Sequence, residues 1–499
     1  MGNLLYDQLF APHSANPTVF LSQPDGQDIT YAAFVARAAQ IAHVLTANGV
    51  EPGDRILVQA PKCVEMVALY AATLQVGAIF LPLNTAYTKD EVSYFAGDAT
   101  PKLLVGSDSA VEALSEIAHE VGATLLTLNS DGSGSLMASV DAQPETFPTA
   151  ARGADDLAAL LYTSGTTGRS KGAMMSHDNL LSNSVSLVDE WRITDADRLL
   201  HALPIFHTHG LFVALNTALL SGATVVFLKN FDLDMLFAEL ADATMLMGVP
   251  TFYTRLLADH RLSPDIVSTM RLFISGSAPL LAETHIAFTE RTGHHILERY
   301  GMTETNMITS NPYDGDRRAG TVGAPLPGVE VKVVDPDTGA NLDPGEVGMI
   351  EVRGRNVFSG YWQMPEKTAA ELRENGFFIT GDLGSFSDDG YLSIVGRAKD
   401  LIITGGYNVY PKEIEDVLNT VDGVLESAVF GVPDPDFGET IIAAIVPETT
   451  AGVSEDTLRT AVENGLARFK HPCVFKMLEA LPRNAMGKVE KKKLRDAHS

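Results

Sequence analysis

The sequence predicts an α/β chain: a large N-terminal domain of βαβ subdomains plus a β-rich subdomain, then a small α+β C-terminal domain. Three observations carry this reading. Strand-like and helix-like apolar runs alternate as far as Arg291. After Gly320 the apolar runs shorten and alternate with turn residues, the habit of antiparallel β structure. Near Gly396 the segment GRAKDLIITGG is charged, then apolar, then glycine-rich, and it opens a stretch of roughly one hundred residues, a usual domain size.

The elements follow in order. Arg55–Gln59 is a short apolar strand, Val64–Leu74 has helical periodicity, and Ala78–Leu83 returns to strand. Lys102–Val105, a helix over Val111–Val121 and Thr124–Leu128 repeat the unit, which implies parallel sheets with helices outside. Ser130–Ser135 and Ala142–Ala154 are polar loops. Leu157–Leu161 reads as a buried strand. A second run follows: helix Gly210–Leu220, strand Thr224–Leu228, strand Met245–Val249 entering a helix at Pro250, and strand Arg271–Ile274 stopped by the turn Ser275–Pro279. Val329–Val334 and Met349–Val352 are the β-rich part. The last segment holds a helix from Pro411, strands around Ala428–Phe430 and Ile441–Val446, a helix from Ser454 and a basic tail.

The bulk numbers exclude some classes. At 499 residues the chain is long enough for about three domains or subdomains. A formal charge of −27 argues against nucleic acid or an anionic membrane as partner, and an anionic substrate must be met by local cations. Two distant cysteines, Cys63 and Cys473, fit a reduced cytoplasmic protein. The N-terminus lacks a basic, then apolar leader, and Tyr6 sits where a myristoylation signal wants Ser or Thr. The apolar stretch Cys63–Leu83 is interrupted by Glu65, Gln75, Gly77 and Pro82, so it reads as helix plus strand and not as a membrane span.

The segment Tyr162–Gly172, YTSGTTGRSKG, carries the strongest chemical signal. Glycines let backbone approach a ligand, hydroxyls and amides donate hydrogen bonds, and Lys171 adds a point charge suited to phosphate oxygens. This suits a triphosphate. It is not a Walker A loop, because Gly172 follows the lysine where Ser or Thr is required.

Six further segments need the same explanation: LPIFHTHG (203–210), SGSAPL (275–280), RYGMTET (299–305), TGDL (380–383), GRAKDLIITGGYNVYPKEIE (396–415) and PRNAMGK (482–488). In this order they resemble the acyl-adenylating superfamily of acyl-CoA synthetases, luciferases and adenylation domains, over nearly the whole chain. HTHGLFVALN, MGVPTFYTRLL, ISGSAPLL and YGMTETNM, with Arg169 and Ser170 in place of the usual proline before Lys171, look like the malonyl-CoA synthetases within it.

The resemblance implies two half-reactions: a carboxylate attacks the α-phosphorus of ATP, and the CoA thiol then displaces AMP. ATP, Mg²⁺ and coenzyme A are the cofactors it implies, with malonate and methylmalonate as acids. Thr163, Ser164, Thr166, Thr167 and Lys171 would cradle the β- and γ-phosphates, and Glu304 with Thr166 would hold Mg²⁺. Tyr300 would stack on adenine, Asp382 would accept the ribose hydroxyls and Arg397 would reach ribose or phosphates. Ser277, Ala278, Gly301 and Thr303 complete the implied nucleotide site. Lys488 would bridge the carboxylate and the α-phosphate, making it, with Glu304 and Lys171, a catalytic residue.

The resemblance also implies that the C-terminal domain is mobile, with residues 1–396 as the large domain, a hinge over 397–400 at Lys399, and 401–499 as the small domain. Gly405 and Gly406 would line the pantetheine tunnel. Arg255, in an otherwise apolar helix, is expected to be buried and to pair with the distal carboxylate, with Ser277 as a further donor; a solvated helix face or an internal ion pair is the alternative. Thr208 and Met307 look like pocket walls, and His207 like a pocket residue. His207 and His209, alternating on an extended segment, would face opposite ways and are not a metal pair. Pro482, Gly487 and Lys488 have the spacing at which bacterial lysine acetyltransferases modify acyl-CoA synthetases. No attached carrier domain is expected after Ser499. The rival readings are a synthetase for another short acid and a nucleotide-binding sensor without turnover.

Overall fold

The computed structural model describes residues 2–24, 26–163, 170–405, 407–435, 437–448, 453–484 and 488–498. Its βαβ units build two sheets. The first has six strands in the order Thr124–Thr127, Leu103–Gly106, Arg55–Gln59, Ile79–Pro82, Leu157–Thr163 and Lys171–Ser176. All neighbours are parallel except the last pair, a hairpin in which Thr163 faces Lys171. The second sheet has nine strands; its centre runs Leu297–Met302, Leu272–Ser275, Met245–Gly248, Arg198–His201 and Thr224–Phe227, all parallel. Burial on both faces explains the continuous apolar runs of these strands.

Helices fill the space between and around the sheets. Tyr31–Ala47 and Val64–Gln75 are buried along much of their length, which is why neither shows a clean amphipathic stripe in the sequence. Two helix starts are fixed by reciprocal caps, Thr88 with Glu91 and Ser176 with Asn179. The expected helix over Gly210–Leu220 is instead a π-helix, His209–Leu215, continued by the α-helix Asn216–Ser221. The π-helix starts at the expected pocket segment, and such turns concentrate at functional sites.

A four-stranded antiparallel sheet follows: Val329–Val334, Gly348–Gly354, Phe378–Phe386 and Leu392–Arg397. From Ile402 onward, apolar side chains form two clusters of their own around a five-stranded sheet, and neither includes a residue from earlier in the chain. Its main strands, Val424–Asp434 and Gly438–Pro447, are longer than the sequence reading made them. Ser454 caps the helix Glu455–Gly465, as expected. Among the described residues no helix is long and apolar enough to cross a membrane.

One buried polar knot ties the second sheet to the chain around it. Asp197 accepts from Arg271 Nε and Nη2 at 2.7 Å each, from the Thr194 amide at 2.8 Å and from Thr244 Oγ1 at 2.8 Å. Burial raises the carboxyl pKa, but Arg271 and the other donors outweigh it and hold the group below its ordinary value. Its stabilising contribution is therefore present above the unfolded-state pKa and is lost as pH falls through the depressed one. Asp197→Asn should destabilise the fold by about 3 kcal/mol, read from denaturant midpoints, with the deficit against wild type shrinking in strong acid.

Candidate active site

Several of the expected residues follow the C-terminal ends of parallel strands, Ser277 and Ala278 after Leu272–Ser275 and Thr303 and Glu304 after Leu297–Met302, where ligands collect in such folds. The hairpin of the first sheet delivers Thr163 and Lys171; Ser164, Thr166 and Thr167 lie outside the described residues. Lys171 is buried, with its ammonium 3.2 and 3.3 Å from the two oxygens of Glu371 and 4.1 Å from the Tyr361 ring centroid. The Tyr361 hydroxyl has one proton to share between Glu371 Oε2 at 2.6 Å and Glu304 Oε1 at 3.1 Å. Thr163 Oγ1 reaches the same Glu304 oxygen at 3.5 Å.

Glu304 is buried, and desolvation raises its pKa; the Tyr361 hydrogen bond and the charges of Lys171 and Arg397 oppose the rise. Among the described residues Glu304 makes no ion pair, and a buried carboxylate beside a phenol and a threonine hydroxyl suits a Mg²⁺ ligand. Among the described residues no group of three His, Cys, Asp or Glu could enclose a metal without such help.

A second group forms where the second and third sheets meet. The Tyr300 hydroxyl donates to Asp382 Oδ2 at 2.5 Å, and Arg397 Nε lies 2.6 Å from Asp382 Oδ1. Asp382 and Arg397 are register partners on adjacent strands, so the pairing follows from the sheet itself. Burial and the nearby Asp382 charge push the Tyr300 phenol well above its ordinary pKa, so it is a donor at neutral pH. The Asp382 charge raises the Arg397 pKa. Ala278 and Thr303 are half-buried, one in the turn after Leu272–Ser275 and the other in the turn after Leu297–Met302. Gly301 lies within the latter strand.

The third group is a pocket. Thr208, His209 and Met307 are buried, and His207 is half-buried. Gly210 is required here because a Cβ would stand 2.0 Å from the Pro204 carbonyl oxygen. His207 is lowered to about 4 by burial and by the positive charges of Lys488 and Arg299, so it is neutral at pH 7. Burial holds His209 well below its ordinary pKa; its Nδ1 pairs with Ser277 Oγ at 3.2 Å and its Nε2 has no partner among the described residues. Ser277 sits at φ +71°, a left-handed backbone that costs a non-glycine residue energy and is found where a side chain must be aimed.

The sequence reading overlooked the side chain that dominates this pocket. Arg299, first residue of RYGMTET, is 2% exposed, yet its Nε and Nη2 have no hydrogen-bond partner and it makes no ion pair among the described residues. Burial pulls its pKa down to about 9, which leaves it charged at pH 7. Its guanidinium lies where a Cβ on Gly276 would stand, 2.4 Å from Cζ, so only glycine permits the approach.

Arg255 is the converse case and a correction. It is exposed, not buried, and its guanidinium rests 5.5 Å from the Phe231 ring centroid. The helix Pro250–Ala258 turns Phe252, Tyr253 and Leu256 inward, and that leaves Arg255 on the outer face. Glu371 and Tyr361 were also missed, since they stand in a charged run and a polar turn with no motif of their own.

Lys488 is open to solvent but stands within the cleft between the units. Lost hydration lowers its pKa, the Arg397 charge pushes the same way, and Asp382 and Glu304 oppose. One ammonium from the far end of the chain therefore feels all three groups. Lys399 is exposed in the turn Ala398–Asp400, and Arg495 of the C-terminal helix pairs with Asp400 there. Gly405 is exposed at φ +57° in a hairpin, and Gly406 lies outside the described residues.

The model of the AMP-binding enzymes matches residues 11–362, and that of the AMP-binding enzyme C-terminal domain matches residues 413–488. The chain belongs to the AMP-binding enzyme family. It is 34% identical over 519 residues to a malonate–CoA ligase of Arabidopsis thaliana, covering 94% of this chain and 85% of that one. The crystal structure of ATP-bound MatB from Rhodopseudomonas palustris is 54% identical, with a TM-score of 0.98 over 100% of this chain and 99% of that one. The apo form of the same MatB, with the same coverage and identity, gives 0.87, so the arrangement here is closer to the ATP-bound form.

Lys488→Ala should reduce acyl-adenylate formation, followed by pyrophosphate release, by about a hundredfold or more. Thioester formation from supplied acyl adenylate and CoA should fall less than about threefold. Equal loss of both steps would mean that Lys488 supports the fold of the cleft and not the first step.

Proposed function

We propose that the chain ligates malonate to coenzyme A in two steps, with consumption of ATP. A malonate carboxylate oxygen attacks the α-phosphorus, forming the mixed anhydride and expelling pyrophosphate. The thiolate sulfur of coenzyme A then attacks the anhydride carbonyl, and AMP leaves. The observation that carries this reading is the buried Arg299, with two N–H donors that have no partner among the described residues, beside neutral His207 and His209. A monocarboxylate would leave that charge uncompensated. A short dicarboxylate supplies the missing anion, and a planar guanidinium matches carboxylate geometry. Arg299 takes over the role that the sequence reading gave to Arg255.

In this reading Asp382 accepts the ribose hydroxyls, Tyr300 flanks adenine, and Arg397 reaches the phosphates. Thr163, Lys171 and the hydroxyls of 164–167 hold the β- and γ-phosphates, with Ser277, Ala278, Gly301 and Thr303 lining the nucleotide. Mg²⁺ at Glu304 would offset phosphate charge. Lys488 neutralises charge where the two anions meet, where electrostatic stabilisation is worth most. Residues 1–396 form the larger domain and 401–499 the smaller. The segment 397–400, with Lys399, is the hinge that brings Gly405 and Gly406 to the pantetheine arm. Nothing in this reading calls for a nucleic acid or a membrane, and a cytoplasmic location fits it.

Thr208 and Met307 limit bulk at the α-carbon, so methylmalonate is accepted and ethylmalonate is not. The clearest test is acid-dependent pyrophosphate release with malonate, methylmalonate, ethylmalonate, succinate and acetate, with and without coenzyme A. Malonate should lead. Arg299→Ala should cut its kcat/KM by about a hundredfold or more while Arg255→Ala changes it less than about threefold. Thr208→Gly with Met307→Ile should raise the ethylmalonate rate. A preference for acetate, or indifference to Arg299, would remove the dicarboxylate reading.

Lys488 is also a fit substrate for a lysine acetyltransferase, since acylation would erase the charge the first step needs. Incubation with such an enzyme and labelled acetyl-CoA should place label at Lys488 and stop adenylation. Label elsewhere with activity intact would exclude this control.

A further inference from the structure

The triphosphate-facing lysine does not stand alone. Lys171 begins the second strand of the hairpin, Lys171–Ser176, and Glu371 ends the helix Pro365–Glu371, two hundred residues later. Both Glu371 oxygens lie 3.2–3.3 Å from the ammonium, so the carboxylate straddles it. The opposite partner of Glu371 is Lys367 at 2.7 Å, one helical turn earlier. The third donor is the Tyr361 hydroxyl at 2.6 Å, which also bonds Glu304. Burial raises the Glu371 pKa, but Lys367, Tyr361 and Lys171 together hold it below its ordinary value, so the group is ionised at neutral pH. The Lys171 side chain is 11% exposed, and the Tyr361 ring covers part of the ammonium.

We propose that Glu371 is a positioning residue for the adenylation step: it holds Lys171 at the phosphates and, through Tyr361, couples that lysine to Glu304. This rests on the reading of Lys171 as a phosphate ligand. A lysine on a flexible four-carbon stem loses rotamer entropy each time it meets a ligand, and an ion pair formed beforehand removes that cost from binding. The same logic operates in protein kinases, where a strand lysine is aimed at phosphates by a helix glutamate. Here Lys171 has N–H capacity left over after straddling Glu371, because an ammonium carries three donors. Tyr361 makes the device shared: one phenol touches the acid that aims the lysine and the acid suited to the metal.

Charge competition is the opposite possibility, in which Glu371 withholds Lys171 from phosphate. The two differ in sign. If Glu371 positions, removing its charge weakens ATP; if it competes, removal tightens ATP. The arrangement in which the pair is seen is the one closer to an ATP-bound relative, and that favours positioning.

The test uses the full-length enzyme. Glu371→Gln should raise KM for ATP by about tenfold and lower the adenylation rate, with KM for malonate and for coenzyme A within about twofold. Thioester formation from supplied malonyl adenylate should be unchanged. In a Lys171→Met background the Glu371→Gln change should add less than about twofold, since the two act as one unit. Tighter ATP binding, no change, or an equal loss in both half-reactions would overturn the proposal. Lys171→Met alone separates the two levels: if it leaves KM for ATP unaltered, the phosphate reading of Lys171 fails. If it weakens ATP and Glu371→Gln does not, only the positioning role fails.

Discussion

The site depends on Asp382, a buried carboxylate shared by a phenol from one sheet and a guanidinium from another. Tyr300 comes from the nine-stranded sheet, Asp382 and Arg397 from the antiparallel one, and the chain leaves Arg397 directly into the turn that leads to the C-terminal unit. Removing either partner would strand a buried charge or donor, a costly state, so the two sheets are held in one register. That register decides where the next residues emerge and hence where Lys488 can stand. The contact between the two sheets and the exit of the chain toward the C-terminal unit therefore rest on the same three side chains.

Around this fixed point the chain solves a charge problem. Its formal charge is −27, and the reaction assigned to it brings two anions together. Positive charge is supplied by a few side chains: Lys171 and Arg299 are buried, Arg397 is half-buried and Lys488 is exposed. Each is treated differently. Lys171 and Arg397 are paired with carboxylates, Lys488 is open to the cleft, and Arg299 is buried with two donors that have no partner among the described residues. A free buried guanidinium is an expensive feature that a merely structural arginine would not carry.

Much of this was legible in the sequence, for physical reasons. Strands buried on both faces read as apolar runs, so the central βαβ units stood out, as at Arg55–Gln59 and Met245–Gly248. The segment Tyr162–Gly172 stood out in the sequence because binding a phosphate calls for glycines, hydroxyls and a lysine in close succession. What stayed hidden depends on three-dimensional burial. Arg255 and Arg299 are both arginines in apolar surroundings of sequence, and only helix phase and strand packing turn one outward and the other inward. The π-helix His209–Leu215 has the apolar content of a buried α-helix, so composition does not mark its wider turn. Glu371 becomes informative only when a strand two hundred residues away is laid beside it.

The central claim is that the second carboxylate of the acid is met by the buried guanidinium of Arg299. It is tested most directly by a crystal structure with a non-hydrolysable malonyl-adenylate analogue. The account expects the distal carboxylate oxygens at about 3 Å from Arg299 Nε and Nη2, with the adenosine ribose on Asp382. A distal carboxylate lying in solvent or on Arg255, with Arg299 still without an acceptor, would contradict it.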